Sequence, residues 1–210
     1  SKGWTLVFPW ATSEWEDLGK GMYTDGFITQ WYEGIKKIPT AYPVDVQRHL
    51  EDAGRYRIIA PYAFGVWPSN LATPWDVTFD VVVDCNDPNF VILEEQTAFE
   101  DADGPINILN AGFAFTNYYG PQGENRPFTK DEVIEMEQND TFDTATGTIT
   151  FAHPVININE DGKYIFLDEK TTRWNTPGKL VLPTGDEPQE EAKSAAGADP
   201  AQVSYATMRK

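Results

Sequence analysis

The stretch closest to a known chemical motif is Asn157-x-Asn159-x-Asp161-Gly162, with Asp168 at position twelve counted from Asn157. A calcium loop spaces oxygen ligands in this way round a glycine turn, but it usually closes on a bidentate Glu. Position nine here is Ile165, which has no side-chain oxygen. A β-hairpin closed by Asp161-Gly162 accounts for the same residues better. It sets Glu160 opposite Lys163, Ile158 opposite Ile165 and Ile156 opposite Leu167, with the aliphatic pairs on one face. A hairpin is expected, and no metal site.

The other acids are weighed in the same way. Asp76, Asp80 and Asp84 recur every fourth residue. Four residues of strand span about 13 Å at ~3.3 Å each. That exceeds the ~5–9.5 Å between the carboxylates of a glycoside hydrolase. The trio reads as a solvated strand face, so a hydrolytic pair would have to come from different strands. Glu94-Glu95 and Glu100-Asp101-x-Asp103-Gly104 crowd acid round a turn and read as a solvated loop rather than a cation site. Cys85 ends an apolar run without a histidine close in sequence, which suits a structural thiol. His49 and His153 lack ligand spacing. No P-loop, nucleophile elbow or dinucleotide fingerprint occurs. The reading assigns no catalytic, metal or cofactor-binding residue and expects no enzyme.

Aromatic residues carry the remaining signal: seven Trp, nine Tyr and twelve Phe. Most should lie in the core. Two groups sit in apparent loops, Val66-Trp67-Pro68-Ser69-Asn70 and Asn117-Tyr118-Tyr119-Gly120-Pro121-Gln122-Gly123. Flat rings beside amides suit sugar stacking, and the competing reading is that they cap the ends of a β-sandwich. Trp67, Tyr118 and Tyr119 are the candidate ligand-binding residues.

The elements that must position them are mostly strands. Trp75, Val77, Phe79, Val81 and Val83 alternate with polar residues and predict one long strand with an apolar face. A turn at Asn86–Asn89 leads to a second apolar run, Phe90–Leu93. Further strands are predicted at Thr5–Phe8, Phe27–Trp31, Val44–Arg48, Arg55–Ile59, Ile106–Leu109, Gly112–Thr116, Thr148–Phe151 and Leu180–Leu182. Asp25-Gly26 signals a type I′ hairpin pairing Thr24 with Phe27. Arg57 should project away from Tyr56, and Pro61 should end its strand. Thr129 and Glu132 form a capping box, with Phe128 and Val133 as a staple, for one helix over Lys130–Gln138. The expected fold is mainly β: an antiparallel β-sandwich over 1–183, with one short helix and an acidic Ala/Pro-containing tail over 184–210. No repeat supports dividing 1–183 into two halves.

Composition limits the partners. The 210 residues hold 16 Lys+Arg and 33 Asp+Glu, a net charge of −17. Nucleic acid and anionic membrane surfaces both need a positive footprint, so neither is expected. No run approaches the ~18 apolar residues of a membrane span. One cysteine excludes an internal disulfide, and two histidines argue against a histidine-rich metal centre.

Two motifs resemble a known group. Trp15-x-x-Leu18-Gly19-x-Gly21-x-Tyr23-x-Asp25-Gly26 and Gly54-x-Tyr56-Arg57-Ile58-x-x-Pro61-Tyr62 are the clearest, followed by Gly147-x-Ile149-x-Phe151 and Leu180-x-Leu182-Pro183. The pattern resembles uncharacterised secreted or lipid-anchored β-sandwich-like proteins of Gram-negative gut bacteria, over about residues 4–183. The resemblance implies a periplasmic or cell-surface location, compatible with a lipid anchor upstream of Ser1, and it implies no activity. The expected function is a non-catalytic binding or scaffold domain, with glycan as the first ligand class and protein as the next. The alternatives are a carboxylate-based glycoside hydrolase and a structural subunit of a surface assembly.

Overall fold

Val44 and Val46 are buried while Pro43 and Asp45 are exposed, the period-two pattern of a strand with one face in a core. The same pattern recurs in Arg55–Ile59 and Val81–Asp84. The computed structural model describes residues 14–31, 35–68, 79–101, 104–158, 163–167 and 173–184. The predicted strand Thr5–Phe8, the positions Trp75, Asp76, Val77, Asn159, Asp161 and Asp168, and the tail from 185 lie outside the described residues.

Seven strands form one curled antiparallel sheet, in the order β4 (Val81–Asp84), β3 (Arg55–Ile59), β2 (Tyr42–His49), β1 (Trp15–Thr24), β11 (Gly178–Val181), β8 (Thr148–Phe151) and β7 (Thr141–Asp143). Four more form a smaller antiparallel sheet, β10 (Lys163–Phe166), β9 (Pro154–Ile158), β6 (Gly104–Asn110) and β5 (Gln96–Asp101). Val44, Ile58, Val83 and Phe151 of the large sheet share one core with Ile108 and Ile156 of the small one. The β-sandwich-like arrangement is the expected one. The Gln96 carboxamide donates to Val82 O at 2.8 Å and accepts from Val82 N at 2.7 Å. A side chain thereby occupies peptide groups that an edge strand would otherwise present for pairing.

β3 and β8 have the predicted bounds, and the predicted strands Val44–Arg48 and Ile106–Leu109 lie within β2 and β6. Pro61 follows the end of β3 as expected. Arg57 projects away from buried Tyr56, lies 4.5 Å above the Trp15 ring and donates to Gln47. The predicted strand Leu180–Leu182 begins two residues earlier, at Gly178.

Several expectations are corrected. Phe79 is 41% exposed and precedes β4, so only Val81 and Val83 of the predicted apolar face are seen buried. Phe90–Leu93 makes isolated bridges through Val91 and Ile92 rather than a full strand. Phe27–Trp31 is not a strand: Ile28–Trp31 forms the short helix α1. Asp25-Gly26 does not close a hairpin. Asp25 turns inward, where Oδ2 accepts from Thr29 N at 2.6 Å and Oδ1 from Phe27 N at 3.2 Å. Gly26 is needed for close approach, since a Cβ there would lie 2.4 Å from Gly178 N. Gly112–Thr116 is also helical. Its large-small alternation gives way to the Asn110 cap, whose side chain accepts from Phe113 N at the start of α2 (Ala111–Asn117). The β9–β10 hairpin exists, but Ile156 pairs with Ile165 and Ile158 with Lys163. A displacement of two residues preserves the alternation, with Ile156 opposite Ile165 in one row and Asn157 opposite Tyr164 in the next.

The capping box is present at the start of α3 (Lys130–Glu135), which ends before the expected Gln138. Arg126 donates to both Glu132 oxygens at 2.7 Å, and Thr129 N donates to Oε2 at 2.7 Å. The guanidinium and the cap together pull the Glu132 carboxyl from 4.5 down to about 2. Titration followed by carbon-detected NMR should find the Glu132 side chain half-protonated near pH 2, whereas a midpoint near 4.5 would show the cluster to be open in solution.

Candidate functional site

The sequence repeats one pattern on neighbouring strands: Ile106-Asn107-Ile108 in β6 and Ile156-Asn157-Ile158 in β9. Alternation sends Ile106, Ile108 and Ile156 to one face and the asparagines to the other. The registers Thr97–Asn107, Asn107–Asn157 and Asn157–Tyr164 then align one row across all four strands of the small sheet. The neighbouring row, Leu109–Val155–Phe166, is apolar, with Leu109 and Val155 fully buried. α2 leaves the end of β6 and ends against the polar row.

Tyr118, at the C-terminal end of α2, stacks on Tyr164 with ring centres 5.1 Å apart and planes at 28°. Phe113 meets Tyr118 edge-on at 5.8 Å. Tyr119 meets Tyr164 edge-on at 6.1 Å and Phe166 at 5.4 Å. Tyr118 is 48% and Tyr119 36% exposed, so these rings present aromatic surface to the outside.

Glu95 ties the pair to the row. Its Oε2 accepts from the hydroxyls of Tyr118 and Tyr164, each at 3.0 Å. Oε1 accepts from Asn107 Nδ2 at 3.1 Å and Asn157 Nδ2 at 2.5 Å. Thr97 Oγ1 donates to Asn107 Oδ1 at 3.0 Å. Asn157 Oδ1 is buried without a hydrogen-bond partner among the described residues. Burial pushes the Glu95 carboxyl up, but the bonds from Asn157, Asn107, Tyr118 and Tyr164 outweigh it and hold the group below its ordinary value. Partial burial and the adjacent carboxylate push the Tyr118 phenol up. Glu95 is therefore ionised at neutral pH and already engaged through both oxygens. It is a positioning group, poorly suited to donate a proton as a general acid.

Tyr118 and Tyr119 lie in one aromatic cluster with Tyr164 and Phe166, and Trp67 does not join them. Trp67 is 6% exposed, packed 5.9 Å from the Tyr42 ring and 5.5 Å from that of Tyr62. The Ala60–Trp67 turn folds it inward, with Trp67 N donating to Ala63 O at 3.0 Å. It is a core residue. Glu95, read above as part of a solvated loop, is instead at the centre of the cluster. Asn107 and Tyr164 are not among the residues singled out above, and Asn157 enters there only as part of the calcium-loop pattern; the repeated Ile-Asn-Ile is the visible sign of the two asparagines.

The remaining candidates have structural partners. Asp80 accepts from Ala60 N at 3.0 Å, and Asp84 from Asn86 N at 2.8 Å. Cys85 is buried and free, and that burial raises its thiol far above the ordinary value. His49 Nδ1 accepts from the Glu51 and Asp52 amides. No helix among the described residues is long and apolar enough to cross a membrane.

No protein-family model matches the sequence, and no curated protein or solved structure is significantly similar to it. The functional reading therefore rests on the geometry of the site.

Proposed function

We propose that this chain is a non-catalytic binding domain acting outside the cytoplasm, and that it holds a glycan chain on the Tyr118–Tyr164 surface. One observation carries this reading: a stacked, partly exposed tyrosine pair whose two hydroxyls are fixed on one ionised carboxylate. The C–H face of a pyranose packs on flat rings, and side chains already held in place lose little entropy on binding. The amides of the polar row hold the Glu95 carboxylate, and through it the two rings, in place. A net charge of −17 favours neutral over anionic glycans.

The extracytoplasmic placement is carried over from the expectation set by the sequence pattern and the acidic composition. Surface display would also let weak single sites act together through avidity. A glycan array followed by native gel electrophoresis with the selected polysaccharide tests the reading. Retarded migration in the polysaccharide gel is expected. Free migration with every neutral polysaccharide would contradict it and direct attention to a protein ligand.

A further inference from the structure

Beside the crossover Ala152–Pro154, which carries the chain from the large sheet to the small one, lies a cleft of about 430 Å³. We infer that this cleft is a second site adjoining the tyrosine surface, which takes a single neutral sugar ring. Its volume falls within the ~300–1,000 Å³ range of small-molecule sites.

The walls are held rigidly. Gln30 is buried, donates to Thr176 O at 3.0 Å and accepts from Trp174 N at 2.9 Å. Asp140, 1% exposed, accepts from Ala152 N at 2.7 Å, His153 N at 3.0 Å and Asn110 Nδ2 at 2.9 Å. His153 lies over it with Nδ1 3.6 Å from Asp140 Oδ1, buried and without a hydrogen bond among the described residues. Glu137 and Asn175, at φ 56° and 46°, both line the cleft. They are two of the three non-glycine residues with positive φ among those described. Glu137 takes its φ as the residue that ends α3, with Gln138 N donating to Val133 O at 3.1 Å and Glu137 N to Ile134 O at 2.9 Å. Asn175 ends no helix among the described residues, and such backbone concentrates at ligand sites.

The chemistry of the lining selects the ligand class. The Gln138 and Asn175 carboxamides and the His153 imidazole offer donors and acceptors to hydroxyl groups. Pro154, Phe166 and Pro177 supply apolar surface for a C–H face. Glu137 and the overall negative charge disfavour an anion. Phe166 belongs to both sites, because it lines the cleft and its ring lies 5.4 Å from that of Tyr119. The choice of a sugar rests on the glycan reading of the tyrosine surface, whereas the existence of the cleft does not.

The test is an amide NMR titration of ¹⁵N-labelled protein with D-glucose, D-galactose, D-mannose, L-fucose and N-acetyl-D-glucosamine in turn. At least one should shift the Gln138, His153, Asn175 and Thr176 amides saturably. Gln138→Ala should weaken that sugar by about tenfold, the upper end for one lost hydrogen bond. Asn175→Gly should weaken it similarly while raising thermal stability, because glycine relaxes the positive φ. Loss of affinity with a gain in stability separates a binding role from a structural one. Tyr118→Ala should leave the cleft titration unchanged. No shift at the cleft amides with any of the five sugars would overturn the proposal, as would shifts confined to Tyr118, Tyr119 and Tyr164. Binding of a monosaccharide in the cleft without polysaccharide retardation would leave the cleft standing and remove the tyrosine surface from the account.

Discussion

Asp25→Ala should destabilise the protein by about 3–5 kcal/mol in urea denaturation, the range for breaking a buried charged network. The carboxylate sits fully buried at the corner between β1 and α1. It caps α1 through Thr29 N, and Oδ1 accepts from Tyr62 OH at 2.8 Å and Tyr23 OH at 3.3 Å. Alanine would leave two amides short of an acceptor, and also one of the two buried phenols, since Tyr23 OH and Tyr62 OH lie 3.3 Å apart and only one can donate to the other. Asp25→Asn keeps one oxygen and should cost less.

The pH dependence of that pair of variants has a definite sign. Burial raises the Asp25 carboxyl above its ordinary 3.8, and the Thr29, Tyr62 and Phe27 donors offset this only in part. A raised carboxyl binds its proton more tightly in the folded state. The wild-type protein therefore loses stability as pH rises through the ordinary value towards the folded one, and asparagine removes that slope. The gap between wild type and Asp25→Asn should shrink from acid to neutral pH. A gap that widens would mean the carboxylate is better stabilised folded than unfolded.

Phe27→Ala is the second large effect, expected to cost about 3–5 kcal/mol through lost burial and a residual cavity. Phe27 is fully buried, and its ring lies 5.9 Å from that of Phe151, also fully buried. Phe79→Ala is the contrasting variant. Its ring is substantially exposed, so its removal should cost under about 1 kcal/mol. Equal losses in the two variants would place Phe79 in the core and contradict the boundary of β4.

These residues also show what the sequence made legible. Arg55–Ile59 and Thr148–Phe151 were placed correctly because alternation and the bounding turns agree there. The helix start at Thr129 was readable because a capping box is local chemistry. Asp25-Gly26 misled because the same dipeptide that turns a hairpin can cap a helix and admit a close backbone contact. Which of the two occurs depends on Gly178, about 150 residues away. The alternation in Gly112–Thr116 loses to a cap at Asn110, and Phe79 continues the pattern of Val81 and Val83 without joining their strand.

The site was half legible. Tyr118 and Tyr119 stood out beside amides and glycines in a loop. Trp67 carried the same signal and proved buried, because sequence does not record the neighbours that cover a ring. Glu95 was hidden for a different reason: its partners arrive from β6, β9, β10 and the end of α2, and Tyr164 is 69 residues away. Cross-strand register brings them together, and a single sequence fixes register only where turn geometry and face pattern both constrain it.

The central claim is that the Tyr118–Tyr164 pair is the glycan-binding surface. Isothermal titration with the oligosaccharide selected on the array tests it most directly, using wild type and the Tyr118→Ala and Tyr164→Ala variants, each shown to be folded by thermal denaturation. The account predicts that either substitution weakens binding by at least about tenfold, or about 1.4 kcal/mol, because each removes one of the two rings that form the surface. Wild-type affinity retained in both folded variants would contradict it.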